Sequence, residues 1–389
     1  MNRIKQLRLA RGLSLEDLAA AMGGIVSKQA LSKYENETAK PSAVILGQLS
    51  RVLRVKSCEL WEYPRYAVEF LGYRKRSSLP KKWQASFEAK VIEQLDIRLK
   101  LKDDGDDKPF DVPCLELAVA SEAEAEECAQ DLRRRWDLGG GPIPNLTDVL
   151  EDRGIHVLTE DGPEKFDGIS AWVRDPDQRP KAAAVVVRAQ GPGERQRLTL
   201  AHELGHLVAK PNECVDEEKM AFRFGASFLV PAEALRSEVG RKRNRIRVEE
   251  LYLLKEHFGV SIQALVRRLR DTESIEETAY KWWCMFISRS GWRRDEPKPQ
   301  RREVPTWFRR TVLRRVAEGQ LSHEEGGALL NEQLCESAGP TTLRRKAFLA
   351  LPPEEQRRQL EAQAEQLQQH YAHLKDEWDG TLADGLNDA

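Results

Sequence analysis

The spacing of hydrophobic residues predicts helices along most of the chain. Apolar positions recur at helical intervals through residues 3–53 and again near residues 86–101. Further on, the pattern predicts a long helix over residues 114–138 and a shorter one over residues 146–153. After Gly193 the spacing is helical almost to the end, with breaks at prolines.

Two segments have the composition of β-strands. Residues 168–174 (GISAWVR) and 181–189 (KAAAVVVRA) are rich in small and β-branched side chains, and DPDQRP between them favours a turn. The predicted fold class is therefore a multidomain, mostly α protein with a small β-sheet.

The length of 389 residues exceeds what one hydrophobic core usually supports, so two or three domains are expected. An aromatic, basic and proline-containing segment begins near residue 61 and predicts a connector with one helix, which ends in the charged run DDGDDKP. We predict an N-terminal domain at 1–60, the connector at 61–112, a central domain at 113–271 and a helical C-terminal region at 272–389.

Charge is nearly balanced over the whole chain but not along it. The 62 lysines and arginines against 63 aspartates and glutamates exclude a uniformly basic, nucleic-acid-coating protein. Residues 1–56 nevertheless carry ten basic and four acidic side chains. This local excess favours DNA binding at the N-terminal end.

The six cysteines form no CxxC pairs, which is typical of free thiols in a reducing cytosol. The sequence also contains neither a signal-peptide pattern nor an apolar run long enough to cross a membrane. We expect a cytoplasmic protein without membrane association.

The segment LTLAHELGHLVA contains the H-E-x-x-H pattern of zinc peptidases, formed by His202, Glu203 and His206. Positions i and i+4 of a helix share one face, about 6 Å apart along the axis, so two imidazoles can converge on one ion. Glu203 stands beside them and can act as a general base and acid on water. A helix with one exposed and one core histidine is the plain alternative, but neighbouring leucines already supply a packing face.

A catalytic zinc needs a third protein ligand and keeps one position for water. Candidate ligands follow the turn at residues 211–212, namely Cys214, Asp216, Glu217 and Glu218. Their spacing from the motif alone does not choose between them.

Residues 218–231 (EKMAFRFGASFLVP) resemble the second helix of ImmA/IrrE-family metallopeptidases, where a glutamate precedes an alanine- and phenylalanine-rich helix that ends in Leu-x-Pro. This resemblance implies Glu218 as the third ligand, with Glu217 and then Cys214 as weaker alternatives. Small residues at Ala221 and Gly225 share the Glu218 face, which favours close packing against the motif helix. The implied metal is Zn²⁺, although these ligands do not distinguish it from Mn²⁺.

The same resemblance extends over about residues 113–270 and implies an α+β, zincin-like metallopeptidase domain. It includes both predicted strands, the second of which is expected to offer its edge to a peptide substrate. It also includes closing helices over residues 253–269, where His257 is expected to be structural.

Residues 3–55 resemble a Cro/repressor-type helix-turn-helix of the XRE family. The resemblance is carried by RIKQLRLARGLSLEDLAAAMG and SKQALSKYENETAKPSAVILGQLSRVLRV, and implies a five-helix, lambda-repressor-like bundle. Ser14 is the expected N-cap of the second helix. Gly23, Gly24 and Ile25 lengthen the turn before the recognition helix.

In such a bundle the recognition helix enters the major groove by its N-terminal part. The residues expected to face double-stranded operator DNA are Lys28, Gln29, Ser32 and Lys33. Gln29 can pair with adenine, and the lysines can reach guanine edges or phosphates. The alternative is a protein-interaction module that no longer binds DNA.

The C-terminal region contains an aromatic and basic segment, KWWCMFISRSGWRR, at residues 281–294. We expect Trp282, Trp283 and Phe286 to be buried against the peptidase domain rather than to stack on nucleic acid. Beyond it, one apolar seam is formed by Leu360, Ala364, Leu367, Tyr371, Leu374 and Trp378. This seam predicts a partner: a toxin, the protein's own domain, or the second chain of a homodimer.

These features predict a DNA-binding transcriptional regulator with zinc-dependent endopeptidase activity. Its expected substrate is a repressor or antitoxin, in stress, mobile-element or toxin–antitoxin control. The alternative function is a non-proteolytic repressor or antitoxin with an idle or structural metal site. The presence of Glu203 favours the peptidase, because a structural zinc does not require a general base.

Overall fold

The computed structural model describes residues 2–62, 65–71, 80–103, 112, 117–243, 245–334, 348, 351–358, 360, 361 and 364. It divides into two compact units, Met1–Thr311 and Val312–Ala389. The named helices are α1 (Arg3–Ala10), α2 (Leu15–Ala21), α3 (Lys28–Glu35), α4 (Ala43–Leu53), α5 (Lys81–Asp103), α6 (Glu122–Arg135), α7 (Leu146–Asp152), α8 (Gly193–Val208), α9 (Glu217–Leu229), α10 (Ala232–Val239), α11 (Val248–Phe258), α12 (Ile262–Asp271), α13 (Glu277–Arg289), α14 (Trp307–Ala317) and α15 (His323–Leu330). The strands are β1 (Ala67–Phe70), β2 (Leu117–Val119), β3 (Ile155–Glu160), β4 (Gly168–Arg174), β5 (Pro180–Arg188) and β6 (Ala209–Pro211).

The first four helices and a 3-10 helix at Ser57–Trp61 form the N-terminal bundle. Its fully buried leucines come from every α-helix of the bundle, namely Leu7, Leu18, Leu31, Leu49 and Leu53. The predicted N-cap Ser14 accepts a hydrogen bond from the backbone N–H of Asp17, and the Asp17 carboxylate accepts one from the backbone N–H of Ser14. The predicted five-helix bundle is thus present among the described residues, its last member being one short 3-10 helix.

Helix α5 joins this bundle to the central β-sheet. On one side it meets α1, where Arg3 forms an ion pair with Asp96 at 3.0 Å and the Ser86 hydroxyl donates to the carbonyl of Leu9 at 2.7 Å. On the other side its apolar residues, including the buried Phe87, pack in one cluster with the sheet. The predicted helix of the connector is therefore present and begins before residue 86.

The central sheet has the strand order β1-β4-β5-β3. Strand β4 pairs antiparallel with both β1 and β5, while β3 and β5 are parallel. Both predicted strands are present as β4 and β5. The expectation that β5 offers a free edge to a substrate is wrong, because β3 and β4 occupy both of its edges.

Four further strands among the described residues, β1, β2, β3 and β6, are not predicted from the sequence. Strand β1 lies within the connector, and β3 follows α7 directly. The helix predicted over residues 114–138 begins only at Glu122, because Leu117–Val119 pairs instead with Ala209–Pro211 in a two-stranded parallel sheet. Cys114 lies outside the described residues.

Helix α13 and the segment after it belong to the first unit. Trp283 and Ile287 are buried in the main apolar cluster, and Phe286 is partly buried against it. The predicted burial is wrong for Trp282, which is 53% exposed, because it lies on the outer side of α13 and stacks on Phe286.

The segment after α13 is held by carboxylates that bind helix N-termini. Glu296 accepts from the backbone N–H of Ile262 at the start of α12 at 2.9 Å. Glu303 accepts from the backbone N–H groups of Leu146 and Thr147 at the start of α7, at 3.0 and 2.7 Å. Charge-assisted bonds of this kind favour one fixed path for the chain across the domain.

The second unit contains the end of α14 and all of α15. Helix α15 begins with a capping box between Ser322 and Glu325. Of the predicted C-terminal seam, only Leu360 and Ala364 fall among the described residues, so the seam stays a prediction. The ranges of the four predicted regions also stay predictions. None of the described helices combines the length and the apolar character needed to span a membrane.

Candidate metal centre and DNA-binding face

Helix α8 places the two motif histidines side by side beneath the sheet. His202 and His206 are 2% and 5% exposed, and their Nε2 atoms lie 3.2 Å apart. The four-residue spacing puts both rings on one face of the helix. Two ring nitrogens are therefore directed at one point in the protein interior.

Helix α9 brings a carboxylate to the same point. Asp216 caps α9 by accepting hydrogen bonds from the backbone N–H groups of Glu218 and Lys219, at 3.0 and 3.2 Å. The Glu218 carboxylate oxygens then lie 3.4 Å from Nε2 of His202 and 3.7 Å from Nε2 of His206. Of the four candidate third ligands, Glu218 is the one whose carboxylate lies near both Nε2 atoms.

The close approach of α8 and α9 depends on glycine. A Cβ atom on Gly225 would lie 2.9 Å from the backbone nitrogen of His202, and one on Gly205 would lie 3.1 Å from the Phe224 ring. Backbone atoms cannot move aside as a side chain can, so Gly225 permits this helix crossing. The small residues on the Glu218 face therefore have the packing role expected from the sequence.

The three donors fit a tetrahedral divalent ion. Zinc lies about 2.0–2.2 Å from imidazole nitrogen and carboxylate oxygen, and a tetrahedron of that size has edges of roughly 3.3 Å. The two Nε2 atoms lie 3.2 Å apart, one Glu218 oxygen lies 3.4 Å from Nε2 of His202, and the other oxygen lies 3.7 Å from Nε2 of His206, distances close to those edges. These residues form a group able to hold a metal ion and would leave its fourth position open.

Glu217 has a different place from Glu218. Its carboxylate lies 3.2 Å from Nδ1 of His206, on the far side of the ring from Glu218. A carboxylate at this nitrogen fixes the tautomer and orientation of a metal-binding imidazole. Cys214 is exposed, and Asp216 caps the helix, so neither lies at the donor cluster.

Glu203 is held next to the cluster by strand β4. The Ser170 hydroxyl donates to its carboxylate at 3.0 Å, and Glu203 is 3% exposed. Gly168 on the same strand lets the sheet approach, since a Cβ there would lie 2.5 Å from Thr199 and 3.4 Å from Cγ of Glu203. Ser170 is not predicted from the sequence, where its only signal is a hydroxyl within an otherwise apolar strand.

Burial favours the metal-binding form of His206. Desolvation lowers the pKa of its imidazole, with the nearby His202 acting in the same direction and the carboxylates of Glu203, Glu218 and Glu217 opposing it. The neutral ring, which is the form that binds metal, is therefore the favoured form near neutral pH. Nδ1 of His202 is buried without a hydrogen-bond partner among the described residues.

On α3, the four predicted DNA-facing residues lie on the outer side of the bundle. Lys28, Gln29 and Lys33 are exposed, and Ser32 is partly buried. Lys28 forms an ion pair with the exposed Glu16, whose pKa is lowered mainly by that hydrogen bond. On the inner side, the residues directed to the core are Ala30, Leu31 and Tyr34.

The turn before α3 uses glycine to reverse the chain. Gly23 and Gly24 have φ angles of +73° and +70°, a region that other residues rarely adopt. Val26 is buried after the turn, while Ile25 is 60% exposed. The longer turn therefore still anchors the start of α3 in the core.

Comparison with known families supports both regions. Residues 4–60 match the helix-turn-helix family, and residues 150–270 match the family described as IrrE N-terminal-like domain. No curated protein matches the chain. The two resemblances noted in the sequence are thereby confirmed, and the second matched segment contains α8 and α9 with the candidate ligands.

Proposed function

We propose that this protein is a transcriptional regulator that binds operator DNA through its N-terminal bundle and hydrolyses a peptide bond in a partner protein. The observation that carries the proposal is the convergence of His202, His206 and Glu218 beside a buried Glu203. A purely structural metal site has no use for a buried carboxylate held next to the ligands by a strand hydroxyl.

His202, His206 and Glu218 would hold a zinc ion. When bound, the ion supplies a Lewis acid that polarises the scissile carbonyl and lowers the pKa of water. Glu217 would orient the His206 ring through Nδ1, 3.2 Å away. The choice of zinc over manganese is part of the proposal and is tested by metal analysis of the purified chain.

Glu203 would move the proton. Its carboxylate accepts a proton from the attacking water, and later delivers it to the amine nitrogen as the peptide C–N bond breaks. Ser170 positions that carboxylate by donating to one of its oxygens.

The DNA-binding face would place the peptidase near its substrate. Gln29 and Lys33 on α3 are exposed for contact with base edges and phosphates, and Lys28 becomes available when DNA displaces Glu16. A partner such as a repressor or antitoxin at the same operator would be the substrate. Since both the DNA and that partner are cytoplasmic, a cytoplasmic location belongs to the proposal.

The test compares the native chain with Glu203→Gln in living cells. The substitution keeps the shape of the side chain and the three donors but removes the proton acceptor. We expect both forms to bind zinc and DNA equally, while one partner protein is depleted, with a new N-terminus, only in cells with the native chain. Equal partner levels in both, at full zinc content, would instead indicate a non-proteolytic repressor or antitoxin.

A further inference from the structure

A cavity of about 1000 Å³ opens beside the candidate metal centre. Leu198 of α8 and Phe222 and Ala226 of α9 line it. Leu198 precedes His202 by one helical turn, and the Phe222 ring centroid lies 4.2 Å from the His202 ring centroid. Phe222 thus contacts His202 and also lines the cavity, so the cavity adjoins the candidate metal centre.

The opposite wall comes from a segment beyond the matched family region. Residues Trp292–Glu296, Pro299 and Gln300 line it, whereas the family match ends at residue 270. Trp292 is partly buried and packs with Phe286 at a centroid distance of 5.1 Å. Because this wall lies outside the segment that matches the family, substrate specificity that depends on it would be a feature of this chain and not of the matched domain.

A buried lysine fixes that wall. Lys255 is fully buried, and its ammonium group donates to Glu194 at 2.7 Å, to Glu296 at 2.6 Å and to the carbonyl of Pro297 at 3.0 Å. The backbone N–H of Gln300 also donates to Glu194, at 2.9 Å. The cavity is thus formed before any ligand enters, which reduces the ordering that binding requires.

The carboxylates and cations of the lining differ in exposure. Glu194, Glu296 and Asp271 are largely buried and already bonded, the last to Arg223 at 2.7 Å. By contrast, Lys219, Arg293 and Arg294 are exposed and form no ion pair among the described residues. The exposed charges of the lining are five cations, Arg195, Lys219, Arg267, Arg293 and Arg294, and two carboxylates, Glu122 and Asp295.

An apolar surface lies between these cations. Phe222 is 54% exposed, although aromatic side chains are normally stabilised by burial. Together with Leu198, Ala226, Ala264 and Trp292, it gives the cavity an apolar floor. A ligand with a bulky apolar side chain would cover Phe222, at about 25 cal/mol per Å² of buried apolar area.

We propose that this cavity recognises the substrate segment next to the scissile bond and selects an acidic peptide with a bulky apolar side chain. The apolar side chain lies on Phe222 and Trp292, and its neighbouring carboxylates meet Lys219, Arg293 and Arg294. This inference rests on the proposed peptidase function, and it adds the class of peptide that the site accepts.

Binding to the full-length, zinc-loaded Glu203→Gln protein tests the proposal without hydrolysis. The probes are three blocked hexapeptides: one with Phe-Leu between pairs of Asp and Glu, one with Lys and Arg in place of the acids, and one with Ser-Ser in place of Phe-Leu. We expect the first to bind at least about tenfold more tightly than either of the others, measured by calorimetry.

Charge reversal sharpens the test. Arg293→Glu with Arg294→Glu should weaken binding of the acidic peptide about tenfold and strengthen binding of the basic one, a reversal that a purely structural role would not give. Lys281→Glu with Arg289→Glu, on exposed positions of α13 that do not line the cavity, is the matched control and should change neither. Ala226→Trp, which fills the floor, should abolish binding while zinc content stays the same.

Several results overturn the proposal. They are equal affinity for the acidic and basic peptides, no binding of any peptide to the zinc-loaded chain, and loss of duplex DNA binding instead of peptide binding on reversal of Arg293 and Arg294. Peptide selectivity without any cleaved protein in cells would reject the peptidase but keep the cavity assignment. Cleavage in cells without peptide selectivity would keep the peptidase and reject the cavity assignment.

Discussion

The candidate metal centre and the predicted recognition helix differ in how much of their geometry is fixed before a partner binds. His202, Glu203 and His206 are nearly inaccessible, and strand β4, helix α9 and a glycine contact hold them in place. Lys28, Gln29 and Lys33 point to solvent, and only Lys28 has a side-chain partner among the described residues. Catalysis requires donors that already converge, whereas sequence readout requires side chains that adapt to DNA.

The largest expected effect distinguishes the proposed metal ligand, Glu218, from its neighbour Glu217. Glu218→Gln should lower zinc affinity by more than about 100-fold, whereas Glu217→Gln should lower it by roughly 10- to 100-fold, as for a carboxylate that only orients a ligand. Competition with a chromophoric chelator measures both. A larger loss from Glu217→Gln would reverse the assignment, and DNA affinity should be unchanged in either variant.

The second effect tests whether the metal centre depends on close helix packing. Gly225→Ala adds a Cβ 2.9 Å from the backbone nitrogen of His202, so it should lower the free energy of unfolding by about 1–3 kcal/mol and weaken zinc binding. Gly47→Ala in α4 meets nothing within 4 Å and should raise that free energy by up to about 1 kcal/mol. Urea unfolding of both variants checks this contrast, and equal destabilisation would contradict it.

A third change should act on the DNA-binding face alone. Gln29→Ala should reduce affinity for duplex DNA, selected from a random pool by the native chain, by about 1–3 kcal/mol. Lys33→Ala should mainly reduce the salt dependence of binding. Lys281→Ala is the control at an exposed position outside the bundle. Zinc affinity should stay constant in all three variants. An unchanged DNA affinity in Gln29→Ala would show that Gln29 is not part of the interface.

The smallest expected effect is a loss of stability at acid pH, which should leave DNA binding by the N-terminal bundle unchanged. His156 in β3 is buried, and desolvation, aided by the charges of Arg98 and Lys102, keeps its pKa well below 6.5. As pH falls below 6.5, the unfolded chain takes up a proton that the folded chain does not, so stability should decrease by up to about 1.4 kcal/mol per pH unit. Above pH 6.5 this term is absent.

Urea unfolding at pH 7.5 and 5.5 measures the acid effect. His156→Gln should show a smaller difference between the two pH values than the native chain. The first histidine of the chain is His156, so the N-terminal bundle contains none and should retain its DNA affinity over the same pH range. An unchanged pH dependence in His156→Gln would assign the acid sensitivity to other groups.

Features determined by local spacing could be predicted from the sequence. The i and i+4 histidines, the Ser14 cap of α2 and the strands β4 and β5 all follow from patterns within a few residues of each other. Glu218 needed the family resemblance, because spacing alone left four candidates. In the structure, the cap at Asp216 and the packing of Gly225 on α9 together orient the Glu218 carboxylate, and neither follows from the spacing of the candidates.

Features determined by distant partners could not be predicted. Strand β1 pairs with a segment about a hundred residues away, and Ser170 meets Glu203 only because the sheet covers α8. The wall at residues 292–300 depends on Lys255, which sequence analysis gave no role. The edge of β5 was assigned wrongly for the same reason, since its pairing with β3 has no local signal.

The proposed function depends on proton transfer by Glu203 during peptide hydrolysis at the His202, His206 and Glu218 site. The most direct measurement labels new protein N-termini in an extract of cells that lack this protein, after incubation with the zinc-loaded native chain or with Glu203→Gln. We expect a small set of new termini, flanked by acidic and bulky apolar residues, with the native chain only and not after chelation of the metal. Identical sets of termini with both forms would contradict it.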